Sequence, residues 1–160
     1  MASKRLVILL PLLVASLHGC ADKPASLLEN AKTALAGNDF AGAQKYASDG
    51  LALEPQDARI QWQLELTLLE ARSRSGDVEA TLTQLQGLVQ NNNPQVKAAH
   101  FVTAADRMRS SGNKEGSIKI LDAGAKSYPQ DPAITKAIEQ AKSSADETEQ
   151  NALRSLGYLD

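Results

Sequence analysis

From about residue 25 to residue 130, apolar positions recur every third or fourth place, and the recurrence is interrupted at regular intervals by glycine, asparagine, aspartate and proline. The first interruption reads Ala34-Leu35-Ala36-Gly37-Asn38-Asp39-Phe40, and Ala43, Leu51 and Pro55 follow. The second is Gly76-Asp77-Val78, followed by Leu82, Leu85, Leu88 and Asn93-Pro94. The third is Gly112-Asn113-Lys114, followed by Ile118, Leu121, Ala125 and Pro129. The spacing predicts a helix, a tight turn, a second helix and a proline, three times over. Glycine suits the left-handed conformation that ends a helix. The following Asp or Asn can cap the next helix through its side-chain oxygen. Proline either stops the second helix or sits in the first turn of the next, where its missing N–H costs nothing.

One segment reads two ways. Ile60, Trp62, Leu64, Leu66 and Leu68 alternate with polar residues, the period of a half-buried strand. Yet Ile60, Leu64, Leu68 and Ala71 also form one helical line, and Trp62, Leu66 and Leu69 its neighbour. The helix formers between them, and the lack of a breaker before Gly76, favour one long helix with a broad apolar face, contacted on both sides as the middle of a stack would be. Beyond Pro129, Gln130-Asp131-Pro132 predicts a cap and a first-turn proline. Ile134, Ala137, Ile138 and Ala141 then predict an amphipathic helix covering the end of the stack. Polar residues 143–150 are expected to be a fraying extension or linker. Leu153, Leu156, Tyr158 and Leu159 are expected to fold back onto the helices, a docking peptide for a partner being the alternative.

The amino-terminal pattern is different in kind. Apolar residues from Leu6 to Leu17 follow Lys4 and Arg5 and end at Leu17-His18-Gly19-Cys20. A basic start, an apolar core of about 7–15 residues and a small residue before the cut make a secretory signal. A transmembrane helix needs about 20 apolar residues, and this run is shorter and contains Pro11. The chain has a single cysteine, so it holds no internal disulfide. Cleavage between Gly19 and Cys20 would remove two basic residues and no acid, moving the formal charge from −2 to −4. A mildly acidic domain without a basic cluster lacks the electrostatic footprint of nucleic-acid binding.

Two resemblances follow from these residues. The Leu17–Cys20 segment resembles the lipobox of bacterial lipoproteins, with His18 an unusual occupant. The resemblance implies signal removal over residues 1–19, diacylation of Cys20 and a lipid tether over residues 20–25. The alternative is a plain secretory signal that leaves Cys20 a free thiol. Two or more acyl chains anchor a protein durably where one does not. Ala21 rather than aspartate after the cysteine implies, by the same likeness, the periplasmic face of a Gram-negative outer membrane. The repeated pattern resembles the tetratricopeptide repeat in Ala31, Gly37, Phe40 and Ala43, in Phe101, and in Pro55, Pro94 and Pro129. Thr81 and Ser117 depart from it, standing where the family prefers alanine. That likeness implies an all-α fold: an α-solenoid of three helix pairs over residues 26–131, with a capping helix and tail over 132–160.

In such a stack the first helix of each pair lines the concave side. The family's groove-facing positions fall here on Glu29 and Lys32, then on Gln63, Thr67, Glu70 and Arg74, then on Thr103, Asp106 and Arg109. Arg74 and Arg109 are the expected anchors, because guanidinium groups on long apolar stems suit interfaces. Catalytic components are sparse. After cleavage only His100 remains among the histidines, on an apolar line with Phe101 and Ala104, and zinc ligation has too few donors. No phosphate loop or serine elbow occurs. The expected function is a non-enzymatic, cofactor-free scaffold that binds a protein or peptide of the cell envelope and no nucleic acid. A self-assembling structural subunit, forming a homo-oligomer, and an enzyme with a concealed carboxylate pair are the rival readings.

Overall fold

A computed structural model describes residues 23–160, and every regular element in them is helical. The predicted signal, the Gly19–Cys20 cut and lipidated Cys20 lie outside the described residues. The helices are α1 (Pro24–Ala36), α2 (Phe40–Ala52), α3 (Ala58–Arg74), α4 (Val78–Gln90), α5 (Ala98–Ser110), α6 (Lys114–Ser127), α7 (Pro132–Ser144) and α8 (Glu147–Ser155). The ambiguous leucine alternation belongs to α3, which runs unbroken for 17 residues.

Local chemistry sets the boundaries. Backbone N–H groups of Gly42, Ala80 and Gly116 donate to the side chains of Asp39, Asp77 and Asn113 at 2.9, 3.0 and 2.9 Å, so equivalent caps start α2, α4 and α6. Asp57 and Asp131 cap α3 and α7 likewise, and Pro132 occupies the first turn of α7 as expected. Gly76 and Gly112 adopt φ of +78° and +93° at the second and third turns. The first turn differs from expectation. Gly37 has φ −79°, and the left-handed residue is Asn38 at +59°. The additional residue in that turn shifts the left-handed position by one, and asparagine tolerates it better than most side chains.

Burial organises the helices around α3. Leu64 and Leu68 join Leu28, Ala31 and Ala47 of α1 and α2 in one apolar cluster. On the other flank, Leu69 and Trp62 pack into the larger cluster with Leu85, Phe101, Ala105, Met108 and Ile134. Two glycines permit close approach: a Cβ on Gly50 would lie 2.8 Å from Leu64 Cδ2, and one on Gly124 2.9 Å from Phe101 Cβ. Residues 132–160 form two helices, not one helix and a tail. Residues 143–150 are no linker: Asp146 and Glu149 make a reciprocal capping box that starts α8. The last apolar residues do fold back, with Leu153, Leu156, Tyr158 and Leu159 clustering on Ile118 of α6.

Successive helices run antiparallel, so their connections gather on two edges. One edge is joined by Arg74 to Asn38 Oδ1 (2.6 Å), Gln44 to Ser75 (3.2 Å) and Asn113 to the Gly76 carbonyl (3.0 Å). The other holds Lys23 and the later connections, where Tyr128 Oη donates to the Val96 carbonyl at 3.2 Å. These edges are about 20 Å apart, the length of a 13-residue helix at 1.5 Å per residue.

The glycines give a direct test of the packing. Gly50→Ala and Gly124→Ala should each lose about 1–3 kcal/mol through overpacking. Gly87, in α4, is open: a Cβ there would meet nothing within 4 Å, so alanine should gain about 0.5–1 kcal/mol. Chemical denaturation of the three variants separates the cases by sign.

Candidate functional site

Gln63, Glu70 and Arg74, all half-buried, lie on a line of α3 between its two buried flanks. At its carboxyl-terminal end, beside the turns, Phe40, Glu70, Arg74, Asp106, Arg107, Ser110 and Ser111 line an open cleft of about 520 Å³. Its walls are tied together by charge. Arg107 Nη2 meets Glu70 Oε2 at 2.9 Å, and Arg74 Nη1 lies 3.7 Å from Glu70 Oε1. The Arg74 guanidinium also sits 4.9 Å over the Phe40 ring, a cation–π arrangement, while donating to Asn38. Asp106 is exposed and, among the described residues, its carboxylate meets no hydrogen-bonding or ionic partner. The cleft therefore offers two arginines held in place by one glutamate, and one unengaged carboxylate.

A smaller recess continues the cleft along the α3–α5 seam, with Leu66, Leu69, His100 and Thr103 in its lining. Farther along, Lys32 Nζ bridges Glu29 (3.0 Å) and Gln63 (3.3 Å). The expected residues are thus largely gathered on one face: Glu29, Lys32 and Gln63 in one cluster, and Glu70, Arg74, Thr103 and Asp106 around the cleft and seam. Two depart. Thr67 is 7% exposed, its hydroxyl donating to the Gln63 carbonyl, so it belongs to the packing. Arg109 turns from the cleft toward α8, where its Nε meets Glu149 Oε1 at 2.6 Å. Arg107 takes the expected place of Arg109. It stands four residues after Thr103, one helical turn along the same line, which is the sequence signal that marks it.

Glu149 is 1% exposed, so Arg109 compensates a carboxylate that burial would otherwise leave uncompensated. A second ion pair, Lys114 with Asp146, sits beside it. The Lys114 hydrogen bond, then the Glu149 N–H, holds the Asp146 carboxyl below its usual value. These pairs fasten α8 to α5 and α6.

His100 is a packing residue at the seam. Its ring meets Trp62 edge-on at 5.4 Å between centroids, and its Nδ1 accepts the Lys97 N–H at 2.9 Å. Burial lowers its pKa below the ordinary 6.5. Among the described residues, no group of three His, Cys, Asp or Glu side chains is placed to hold a metal ion. No helix among them is long and apolar enough to cross a membrane. Comparison with protein-family models, with curated proteins and with solved structures gives no match.

Two outcomes follow. Arg109→Ala leaves Glu149 buried and uncompensated, and should cost about 2 kcal/mol, the usual penalty reduced for the partial exposure of Arg109. Hydrogen exchange should show the loss first in α8 and the amides it covers. His100 has a lowered folded pKa, so between that value and 6.5 the unfolded chain binds more protons. Its contribution to stability is complete above 6.5 and lost as pH falls through the folded pKa. Fluorescence of Trp62 should report this titration with a midpoint below 6.5, and His100→Ala should abolish it.

Proposed function

We propose that this chain is a non-catalytic, membrane-tethered scaffold of the cell envelope, built as a short solenoid of tetratricopeptide-like helix pairs, that holds a protein partner in the cleft between α3 and α5. The observation that carries the reading is the cleft itself: an open, charge-lined space whose side chains are fixed before any partner arrives. Preformed contacts reduce the ordering cost of binding. The alternation of helices, the equivalent caps at Asp39, Asp77 and Asn113 and the antiparallel contacts support the repeat reading. The all-helical architecture by itself is common to many unrelated functions.

The tether reading rests on residues 1–20: a signal-like run ending at a lipobox-like cysteine. Diacylation of Cys20 would place the protein on a membrane surface, and Ala21 favours the periplasmic face of the outer membrane. The placement of the cleft adds a functional consequence. Phe40, Arg74 and Ser111 sit at the edge remote from Lys23, so a chain anchored through residues 20–23 presents its cleft away from the lipid. A partner would be met in the aqueous space, with its effective concentration raised if it too is membrane-bound. Two arginines, a side chain whose planar fork can hold a carboxylate, and one unengaged carboxylate suit a partner segment of mixed charge.

Cys20→Ser should leave the helical circular-dichroism spectrum unchanged and move the protein from the membrane to the soluble fraction; retention in membranes would remove the anchor. A photo-crosslinking residue at Ser110 should capture a discrete envelope protein. Arg74→Ala with Arg107→Ala should reduce that capture at least tenfold, since hydrogen bonds to charged groups are each worth about 1.5–3 kcal/mol. Capture indifferent to both substitutions would sink the cleft assignment.

A further inference from the structure

Away from α3, the cleft adjoins a recess of about 100 Å³ where α5, α6, α7 and α8 meet. Val102, Asp106 and Arg109 are four and three residues apart, which sets them on one face of α5. Asp106 lines both spaces. Ser117 and Leu121 of α6, Gln140 of α7 and Glu149 of α8 stand across from that face. Asp106, Arg109 and Gln140 are exposed at the rim, whereas Ser117, Leu121 and Glu149 are buried.

Hydrogen bonding in the recess is incomplete. Ser117 is 3% exposed, and among the described residues its hydroxyl has no hydrogen-bonding partner. The other buried hydroxyls among them return to carbonyls of their own helices: Thr67 to Gln63 at 2.8 Å, Ser73 to Leu69 at 2.8 Å and Thr81 to Asp77 at 2.6 Å. Thr81 stands four residues after its capping residue, as Ser117 does after Asn113, and Ser117 does not make the corresponding bond. The side-chain oxygens of Asp106 and Gln140 are likewise unengaged within the described protein. Charge is unequal as well, since two of the three charged groups in the lining are carboxylates. Glu149 is matched by Arg109, and Asp146 beside it by Lys114, which leaves Asp106 over. Arg107, its neighbour in sequence, is committed to Glu70.

We propose that this recess receives the side-chain ammonium of a lysine from the partner protein. An ammonium has three N–H donors and no acceptor, which matches the unengaged oxygens of Asp106, Ser117 and Gln140. Lysine lays its methylene stem on apolar surface while its head seeks polar groups, and Val102, Leu121, Ala137 and Ala141 supply that surface. At roughly 30 Å³ per water, the recess has the space of about three waters, or of an ammonium with the last methylenes behind it. A pocket for a small molecule usually needs roughly 300–1,000 Å³. A guanidinium is broader and would set a second arginine against Arg109. The inference rests on the partner-binding reading for the source of the lysine. Because Asp106 is shared, that lysine would enter beside the cleft.

The test uses the purified full-length protein, isotopically labelled for NMR, and two capped tripeptides, Ala-Lys-Ala and Ala-norleucine-Ala, which differ by the ammonium alone. The lysine peptide should shift the amide signals of Val102, Ser117, Leu121 and Ala137. The norleucine peptide should bind about tenfold more weakly, as should the lysine peptide to Asp106→Asn, because each change removes a charge-assisted bond. Asp106 is exposed and unpaired, so that variant keeps the fold. Ala137→Leu, which fills the recess from a half-buried position of α7, should abolish the shifts while the helical circular-dichroism spectrum is unchanged. Equal binding of the two peptides, undiminished binding to Asp106→Asn, shifts confined to the Glu70–Arg107 cleft, or no shifts at millimolar peptide would each overturn the proposal. The readout is the recess itself and not capture of an envelope protein, so failure of the cleft assignment would leave this result standing.

Discussion

Helix α3 is gripped on both flanks, and the remainder of the molecule is arranged around that double burial. Leu64 and Ala71 are fully enclosed, and Leu68 and Leu69 nearly so, by α1 and α2 on one side and by α5 and its neighbours on the other. Burying a leucine contributes about 1.5–3 kcal/mol, so this single helix joins two apolar clusters that would otherwise be separate. Its apolar flanks leave two narrow polar strips, on nearly opposite sides. One strip, Gln63 to Arg74, becomes the wall of the cleft. The other, Glu65 to Arg72, becomes the floor of a gap between α2 and α4. The cleft is therefore a consequence of how one helix is enclosed.

The ionic side chains divide by whether the fold already employs them. Arg109 and Lys114 hold α8 through Glu149 and Asp146, and this fastening completes the carboxyl-terminal end. Arg74 and Arg107 share Glu70, which orders them without covering them. Among the described residues, the Asp106 carboxylate meets no hydrogen-bonding or ionic partner, whereas Arg72 is linked to Glu65 through Gln84. An exposed carboxylate without a partner is ordinary in energy, because water solvates it. An arginine with a buried, unmatched N–H is different, because desolvation is incurred without a compensating bond.

Most of the helix pattern was legible along the chain. The caps at Asp39, Asp77, Asn113 and Asp131, the first-turn Pro132, the left-handed Gly76 and Gly112 and the two apolar lines of α3 each depend on residues within a turn or two of one another. Where local reading went astray, the error was also local: one extra residue in the first turn passed the left-handed position from Gly37 to Asn38. At the cleft, Glu70, Arg74, Thr103 and Asp106 could be placed on one face by their spacing. Arg109 was expected at the cleft where Arg107 stands, although about 200° of helical rotation separates the two. The second helix of the carboxyl-terminal region was missed because its apolar content is small and its start depends on the reciprocal Asp146–Glu149 cap.

Alone, the sequence determined where helices begin and end and which of their faces are apolar, because hydrogen-bonded caps and a period of about 3.6 residues act over a few neighbouring residues. Only the tertiary structure decided that Arg109 meets Glu149 forty positions away, that Glu70 lies between Arg74 and Arg107, and that Gln84 of α4 bridges Arg72 and Glu65. Those outcomes depend on the distances between helices, which arise from how every side chain along a seam packs at once.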